Sequence, residues 1–285
     1  MISEYISFGN ITLKLNLPEK TVGRNLYAGF FCDERKPDFE LNFSFNDCLP
    51  EPEKNHICLN TEESVVEINQ NRCLCFYKNR SSEGFYAVRK QSAGSSVIDV
   101  LLDSSIRDRL WTRIVLNTIG IEDIAVQSGG IVFHSSFIER KGSAVLFTGP
   151  CSIGKSTQAR LWNEYKGTPV INGDKTYIYI DDDTVYASGL PFSGSSGICE
   201  NRAMPLDFIV RLEKAKKNDV KNLSPKEAFF TVMDSSYVPY GLGAKASEIA
   251  ALITQKCKIC SFACLPDETA VDALDDFFEK ENAEC

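Results

Sequence analysis

Apolar and polar residues alternate with period two along much of the chain up to about residue 100. Such alternation is typical of strands that bury one face. It runs through segments that are separated by polar turns, namely residues 11–17, 40–45, 64–68, 72–77 and 84–88. The pattern predicts a strand-rich N-terminal region over residues 1–125, which ends in a connecting helix.

The connecting helix is predicted from a change of period near residue 99. Apolar residues recur at helical spacing over residues 106–119. Ser104 or Ser105 is a suitable N-terminal cap for this helix. Trp111 shares the helical spacing, and we therefore expect it to lie in the core.

Strand and helix patterns alternate in residues 126–285. The predicted strands cover residues 129–134, 143–148, 169–174, 176–180, 184–187, 206–212 and 258–264. Helices are predicted over 157–164, from Ser224-Pro225 onwards, and over 270–278. A tight turn is expected at 181–183, and a glycine- and serine-rich loop at 189–197. The predicted fold class is α/β, a mixed twisted sheet with flanking helices.

Between two of these predicted elements lies a phosphate-binding pattern, G-x-x-x-x-G-K-[ST], without a mismatch. Its residues are Gly149, Pro150, Cys151, Ser152, Ile153, Gly154, Lys155 and Ser156, followed by Thr157. The preceding strand and the following helix provide the context that the motif requires. Its glycines allow the backbone N–H groups to approach an anion at the start of the helix. This predicts a nucleotide site in which Lys155 reaches the β- and γ-phosphates and Ser156 ligates Mg²⁺.

Composition narrows the classes of partner. The formal net charge is −8, and no basic run stands out, which argues against a nucleic-acid surface. No apolar stretch approaches transmembrane length, and the first residues lack the layout of a signal peptide. The 11 cysteines have no framework spacing, so we expect reduced thiols in a cytoplasmic protein that does not bind membranes.

Other candidate chemistry lies on both sides of the loop. His134 ends a predicted strand about one hairpin before Gly149, and both a structural role and a place beside the loop are open at this point. Asp174 ends the strand 169–174, a position from which an acid typically faces the metal or the attacking group. Three cysteines in the tail approach a zinc spacing without a fourth ligand nearby, and are predicted to be structural: Cys257, Cys260 and Cys264.

Taken together, His134, the phosphate loop, Asp174 and Glu200 resemble the catalytic domain of the HPr kinase/phosphorylase family. That family shares its fold with phosphoenolpyruvate carboxykinases. The resemblance covers about residues 128–212, and one of its most specific parts is Glu200-Asn-Arg202, which is similar to the family's Glu-x-Arg signature. The chain looks closer still to uncharacterised bacterial HPr-kinase-like proteins, which include kinases of peptide serines in natural-product clusters.

The resemblance implies roles for these residues. ATP phosphates would lie on the loop backbone and Lys155, and Mg²⁺ would be held by Ser156, Asp174 and Glu200. Asp174 would also orient an acceptor hydroxyl as a base, and His134 would arrange that carboxylate or the phosphates. Arg202 would offset charge on the transferring group.

The implied activity is ATP- and Mg²⁺-dependent transfer of the γ-phosphoryl group to a hydroxyl of a peptide, protein or small molecule, with serine favoured. HPr kinases carry two adjacent acids where this chain has Gly173-Asp174, so the resemblance does not extend to phosphorylase activity. The same departure keeps open a nucleotide-binding regulatory or maturation protein with weak or no phosphotransfer. The acceptor is not identified by the sequence, and a homo-oligomer is left open.

Overall fold

The structure is a computed structural model that describes residues 1–78, 84–194 and 196–283. The chain divides into two compact units, Met1–Ile121 and Glu122–Cys285. Residue 195, within the predicted loop 189–197, lies outside the described residues. Across the described ranges, no helix is both long enough and apolar enough to cross a membrane.

The first unit is built on one nine-stranded sheet with the order β3-β1-β2-β4-β9-β8-β7-β6-β5. Its strands are β1 (Ile2–Phe8), β2 (Ile11–Leu17), β3 (Phe31–Cys32), β4 (Phe39–Asn46), β5 (Ile57–Asn60), β6 (Ser64–Asn69), β7 (Arg72–Lys78), β8 (Phe85–Ser92) and β9 (Val97–Asp103). Short 3₁₀ helices cover Asn25–Phe30, Lys54–His56 and Ser104–Arg109, and helix α1 covers Thr112–Thr118.

The period-two segments do form strands, because alternate side chains enter the core. In β2, for example, Ile11, Leu13 and Leu15 are all buried. The strand predictions for the N-terminal region are therefore confirmed. Among the strands of this unit, β1, β3, β5 and β9 were not predicted.

The single connecting helix predicted near residues 104–119 is wrong. Residues up to Asp103 belong to β9, and the helical stretch is broken at Leu110 between a 3₁₀ helix and α1. Asp103, rather than Ser104 or Ser105, caps the 3₁₀ helix by accepting a hydrogen bond from the Ser105 N–H. The expectation that Trp111 lies in the core is also wrong, because this side chain is 49% exposed.

The second unit contains most of the helices. After α2 (Ile121–Gln127), which begins at the boundary of the two units, the helices are α3 (Lys155–Lys166), α4 (Pro225–Asp234), α5 (Gly243–Lys256) and α6 (Glu268–Ala283). The strands are β10 (Gly130–Arg140), β11 (Ser143–Thr148), β12 (Val170–Asn172), β13 (Lys175–Asp181), β14 (Thr184–Gly189), β15 (Ala203–Lys214), β16 (Asp219–Asn222), β17 (Ser236–Tyr237) and β18 (Lys258–Cys264). The mixed α/β fold class is thus confirmed, and α5 was not predicted.

Two long strands organise this unit because each pairs with different partners along its length. Strand β10 pairs with β13 up to His134 and with β11 from Ser135 onwards. Strand β15 pairs with β14 at its start and then runs parallel to β11 and β18. His134 therefore lies inside a strand, at the point where β10 changes partner, and not at a strand end as predicted.

The phosphate loop follows β11, which lies between β10 and the parallel strand β15. Both faces of β11 are buried, as is usual for strands with parallel neighbours. Val145 and Phe147 pack into a cluster with Trp162 of α3, whereas Ala144 and Leu146 pack into a second cluster with residues of α4 and α5. The loop is thereby held at the carboxyl ends of parallel strands, the usual place for ligand sites in α/β sheets.

Candidate active site

The phosphate loop adopts a conformation that depends on its glycines. Gly149 and Gly154 have φ angles of 135° and 121°, which side-chain-bearing residues rarely adopt. A side chain at Gly149 would also lie 3.3 Å from the carbonyl oxygen of Leu212 on β15. Helix α3 begins directly afterwards at Lys155. The N–H groups of its first turn therefore end the loop, an arrangement that favours an anion.

Lys155 lies folded into its own loop. Its Nζ donates hydrogen bonds to the carbonyl oxygens of Gly149 at 3.0 Å and Pro150 at 3.1 Å, and the residue is only 8% exposed. Burial lowers the pKa of Lys155, and the neighbouring Cys151 and Asp174 act in the opposite direction. Because an ammonium has three donors, one remains for an incoming oxyanion.

His134 and Asp174 meet beside this loop. The ring nitrogen Nδ1 of His134 lies 3.2 Å from the Asp174 carbonyl oxygen and 3.5 Å from Asp174 Oδ1. Both of these atoms accept hydrogen bonds, so the neutral ring keeps its proton on Nδ1 and leaves Nε2 as an acceptor. Burial, followed by the charge on Lys155, lowers the pKa of His134. The imidazole is therefore neutral near pH 7.

The position of Asp174 is fixed by hydrogen bonds to Asn172, two residues earlier in the chain. The side-chain oxygen of Asn172 accepts hydrogen bonds from the N–H groups of Asp174 at 2.9 Å and Lys175 at 3.1 Å. The Asn172 amide in turn donates to the carbonyl oxygen of Leu190 at 2.7 Å. This buried asparagine, which ends β12, ties the turn at Gly173 to the following loop.

The glycine- and serine-rich loop packs against the same turn. A side chain at Gly173 would coincide with the Ser196 hydroxyl, at 2.0 Å, and one at Gly194 would lie 2.8 Å from the Asp174 Cβ. The space that a side chain at Gly173 would need is thus filled by the loop. The close approach of the loop to Asp174 thus depends on two glycines.

Glu139, Glu200 and Arg202 form a second group of charged side chains. Arg202 is ion-paired with Glu139 at 2.5 Å and with Glu200 at 3.7 Å. The backbone N–H of Glu200 bonds to the carbonyl oxygen of Ile171, at the far end of the segment that leads to Asp174. Within residues 1–78, 84–194 and 196–283, no hydrogen bond or ion pair joins Glu200 or Arg202 to Ser156 or Asp174. The structure thus brings together Lys155, His134 and Asp174, whereas Arg202 pairs with Glu139 and Glu200.

Sequence reasoning missed two neighbours of His134. The hydroxyl of Tyr237 lies 3.4 Å from His134 Nδ1, and the ammonium of Lys175 lies 4.3 Å from the centre of the Tyr237 ring. Burial is the largest influence and lowers the pKa of Lys175, but the Glu122 carboxylate at 2.7 Å, together with Tyr237 and Asp174, gives a net upward shift. Tyr237 follows α4 with no local signal, whereas Lys175 directly follows the predicted Asp174.

The tail cysteines behave as buried thiols. Burial raises the pKa of Cys257 and of Cys260 to about 12, and that of Cys264 to about 11. Such thiols stay protonated and are poor metal ligands and nucleophiles. This agrees with the structural role predicted for them.

The fold and the site define a mixed α/β protein whose phosphate-loop motif joins a parallel strand to a helix. The chain belongs to the family described as SynChlorMet cassette protein ScmC, whose model matches residues 97–264. No curated protein is significantly similar to it. Among solved structures, it is distantly similar to the Hpr(Ser) kinase/phosphatase from Coxiella burnetii, with 13% sequence identity and a TM-score of 0.30 over 54% of this chain and 95% of that chain.

Proposed function

We propose that the protein is an ATP- and Mg²⁺-dependent phosphotransferase that moves the γ-phosphoryl group to a hydroxyl, with serine of a peptide or protein favoured. The observation that carries the proposal is the convergence of three groups. Lys155 lies in a phosphate-loop motif, and its charge acts on both His134 and Asp174, which contact each other at 3.5 Å. A cation for phosphates and a carboxylate for a hydroxyl are the parts that phosphoryl transfer requires.

The proposed reaction uses positioning and charge neutralisation. The loop N–H groups and Lys155 bind the phosphates and neutralise the charge that develops during transfer. Asp174 accepts the proton of the acceptor hydroxyl as the new oxygen–phosphorus bond forms and the bond to ADP breaks. His134, with its proton on Nδ1, donates toward Asp174 and so orients the carboxylate.

Mg²⁺ fits the donors present, since hydroxyl and carboxylate oxygens are its preferred ligands. The exposed Ser156 begins α3 beside Lys155, and Asp174 and Glu200 are the carboxylates that would complete the ligand set. Bound Mg²⁺ would offset the charge of the phosphates. Arg202 would offset charge on the transferring phosphoryl group. To do so, its guanidinium must exchange its ion pair with Glu139 or Glu200 for one with a phosphate oxygen.

The test is Lys155→Ala, with Lys166→Ala at the other end of α3 as the matched control. Lys166 is ion-paired with Asp272 and lies away from the loop. We expect Lys155→Ala to lower ATP turnover by on the order of a hundredfold or more, because the cation that neutralises the phosphates is lost. The variant should still fold, because removing a buried charge also removes the cost of its desolvation. Lys166→Ala should turn over ATP normally. Normal turnover by Lys155→Ala, measured as ADP release, would contradict the proposal.

A second candidate function is a nucleotide-binding regulatory or maturation protein without phosphotransfer. Two observations favour it: Arg202 is paired with Glu139 and Glu200, and Asp174 is the one carboxylate that pairs with His134 in the described parts of the chain. Mass spectrometry of added serine peptides separates the two functions. A phosphorylated peptide supports the kinase, whereas ATP binding without any phosphorylated product supports the regulator.

A further inference from the structure

A cavity of about 530 Å³ opens next to the phosphate loop. Its lining includes His134, the first residues of the loop at Gly149–Cys151, and one side of α4. Ser156 and Thr157, where α3 begins, are not part of the lining. Because His134 contacts Asp174, the cavity lies on the side of the proposed base. On the proposed function, this is the side from which the acceptor hydroxyl approaches.

The charges around the cavity leave an excess of negative charge. Arg211, at the end of β15, is ion-paired with Glu213 at 2.9 Å and lies near Glu227. Glu227 is itself bonded to Ser224 in the N-terminal cap of α4. The exposed carboxylate of Asp234 makes no hydrogen bond or ion pair with any residue in the described parts of the chain. The lining therefore offers one uncompensated acid to a bound molecule.

The position of Asp234 is unfavourable for the helix. It is the last residue of α4, where a negative charge opposes the helix dipole and a cation is preferred. A charged residue that destabilises its own helix and has no ion-pair partner among the described residues is a candidate for a role in binding. Phe230 lies four positions earlier, on the same side of the helix, and is 51% exposed although it is aromatic.

An exposed aromatic ring one helical turn from a free carboxylate matches the chemistry of a long basic side chain. The methylene stem of lysine or arginine packs on an apolar surface while its charged end stays near an acid. The cation is also attracted to the face of the ring. An acidic side chain at this place would meet Asp234 and Glu227 and would be repelled.

We propose that the acceptor is a serine peptide with a lysine or arginine close to the serine, and that Phe230 and Asp234 bind this basic side chain. The inference rests on the proposed function, because it assigns the substrate class of the same site. One residue of extended peptide spans roughly 3.3 Å, and a cavity of about 530 Å³ is about 10 Å wide, so the basic residue should lie within about three positions of the serine.

The experiment uses the full chain with ATP, Mg²⁺ and synthetic serine peptides in which one flanking residue, within three positions, is Lys, Ala or Glu. Peptide phosphorylation is measured as kcat/KM. We expect the wild-type protein to prefer a Lys peptide over its Glu counterpart by about threefold or more, which an ion pair at a partly exposed site can supply. Asp234→Lys should reverse this preference, and Phe230→Ala should weaken it.

Asp276→Lys on α6 is the matched control, since Asp276 is exposed and is not part of the cavity lining. It makes the same charge change and should keep the wild-type preference. Asp234→Lys should fold, because a cation is favoured at the end of a helix. Equal kcat/KM values for the Lys and Glu peptides would overturn this inference alone. So would an unchanged preference for the Lys peptide in Asp234→Lys. Absence of transfer to every peptide overturns this inference, and it overturns the kinase function as well if Lys155→Ala also turns over ATP normally.

Discussion

The approach of the glycine- and serine-rich loop to Asp174 can be tested by adding one methyl group at Gly194. This residue has a φ of 55°, and a side chain there would lie 2.8 Å from the Asp174 Cβ and 2.9 Å from its Cγ. Carbon atoms normally approach to about 3.5–4.0 Å, so Asp174 or the loop must move by about 1 Å. A displacement of this size at a reacting group can lower the rate by about a hundredfold.

The same change also strains the backbone, and Gly197→Ala serves as the control for this effect. Gly197 has a φ of 71°, but a side chain there would meet nothing within 4 Å. Left-handed backbone costs a residue with a side chain about 1–2 kcal/mol, so we expect both variants to lose this much free energy of unfolding. Gly194→Ala should lose somewhat more because of its contact with Asp174, and only this variant should lose activity.

The assay combines three measurements on each variant: thermal unfolding, binding of a fluorescent ATP analogue, and phosphoryl transfer measured as ADP release. We expect nucleotide affinity to be unchanged in both, because neither glycine belongs to the phosphate loop. Transfer should fall by about ten- to a hundredfold in Gly194→Ala only. Equal activities in Gly194→Ala and Gly197→Ala would refute the reasoning that the loop positions Asp174.

Two further predictions concern the ring and the core of the same unit. Burial, followed by the charge on Lys155, lowers the pKa of His134 from 6.5, so the unfolded chain binds this proton more readily than the folded one. The contribution of His134 to the free energy of unfolding is therefore fully present above pH 6.5 and is lost as the pH falls through the folded pKa. An NMR titration of His134 in a His56→Asn background checks this, and a midpoint at or above 6.5 would contradict it. Trp162→Ala should lower the free energy of unfolding by about 3–5 kcal/mol, since the buried ring packs on Phe147 and Phe278. Trp162→Phe should lower the free energy of unfolding much less, because it keeps an aromatic ring and removes a buried N–H that has no hydrogen-bond partner among the described residues. Urea unfolding measures both variants, and equal losses would contradict this expectation.

Local patterns explain most of what could be predicted. The period-two runs form strands, Ser224 and Pro225 begin α4 with a capping box, and the strand, glycine loop and helix around Lys155 lie where the motif indicates. Each of these features depends on residues that are close in the sequence. Pairing or periodicity within a short segment is therefore enough to predict them.

Predictions failed where a distant segment competes with a local pattern. Residues 106–119 have helical spacing, but the helix is broken at Leu110. The Val22 N–H donates to the carbonyl oxygen of Leu110 at 2.9 Å, the Thr112 N–H donates to the carbonyl oxygen of Val22 at 2.8 Å, and Trp111 forms a parallel bridge with Val22. Trp111 is left largely exposed. Pairing with a distant segment overrides the local preference here, and no single-segment pattern contains such pairing.

The sequence by itself determined that this protein has a phosphate-loop motif between a buried strand and a helix, because glycine positions and apolar periodicity are local properties. Only the tertiary structure decided which groups meet beside that loop. His134 reaches Asp174 because β10 pairs with β13 as far as His134 and then changes partner to β11. Arg202, which directly precedes β15, is likewise paired with Glu139 on β10, a contact between segments far apart in the sequence that no motif contains.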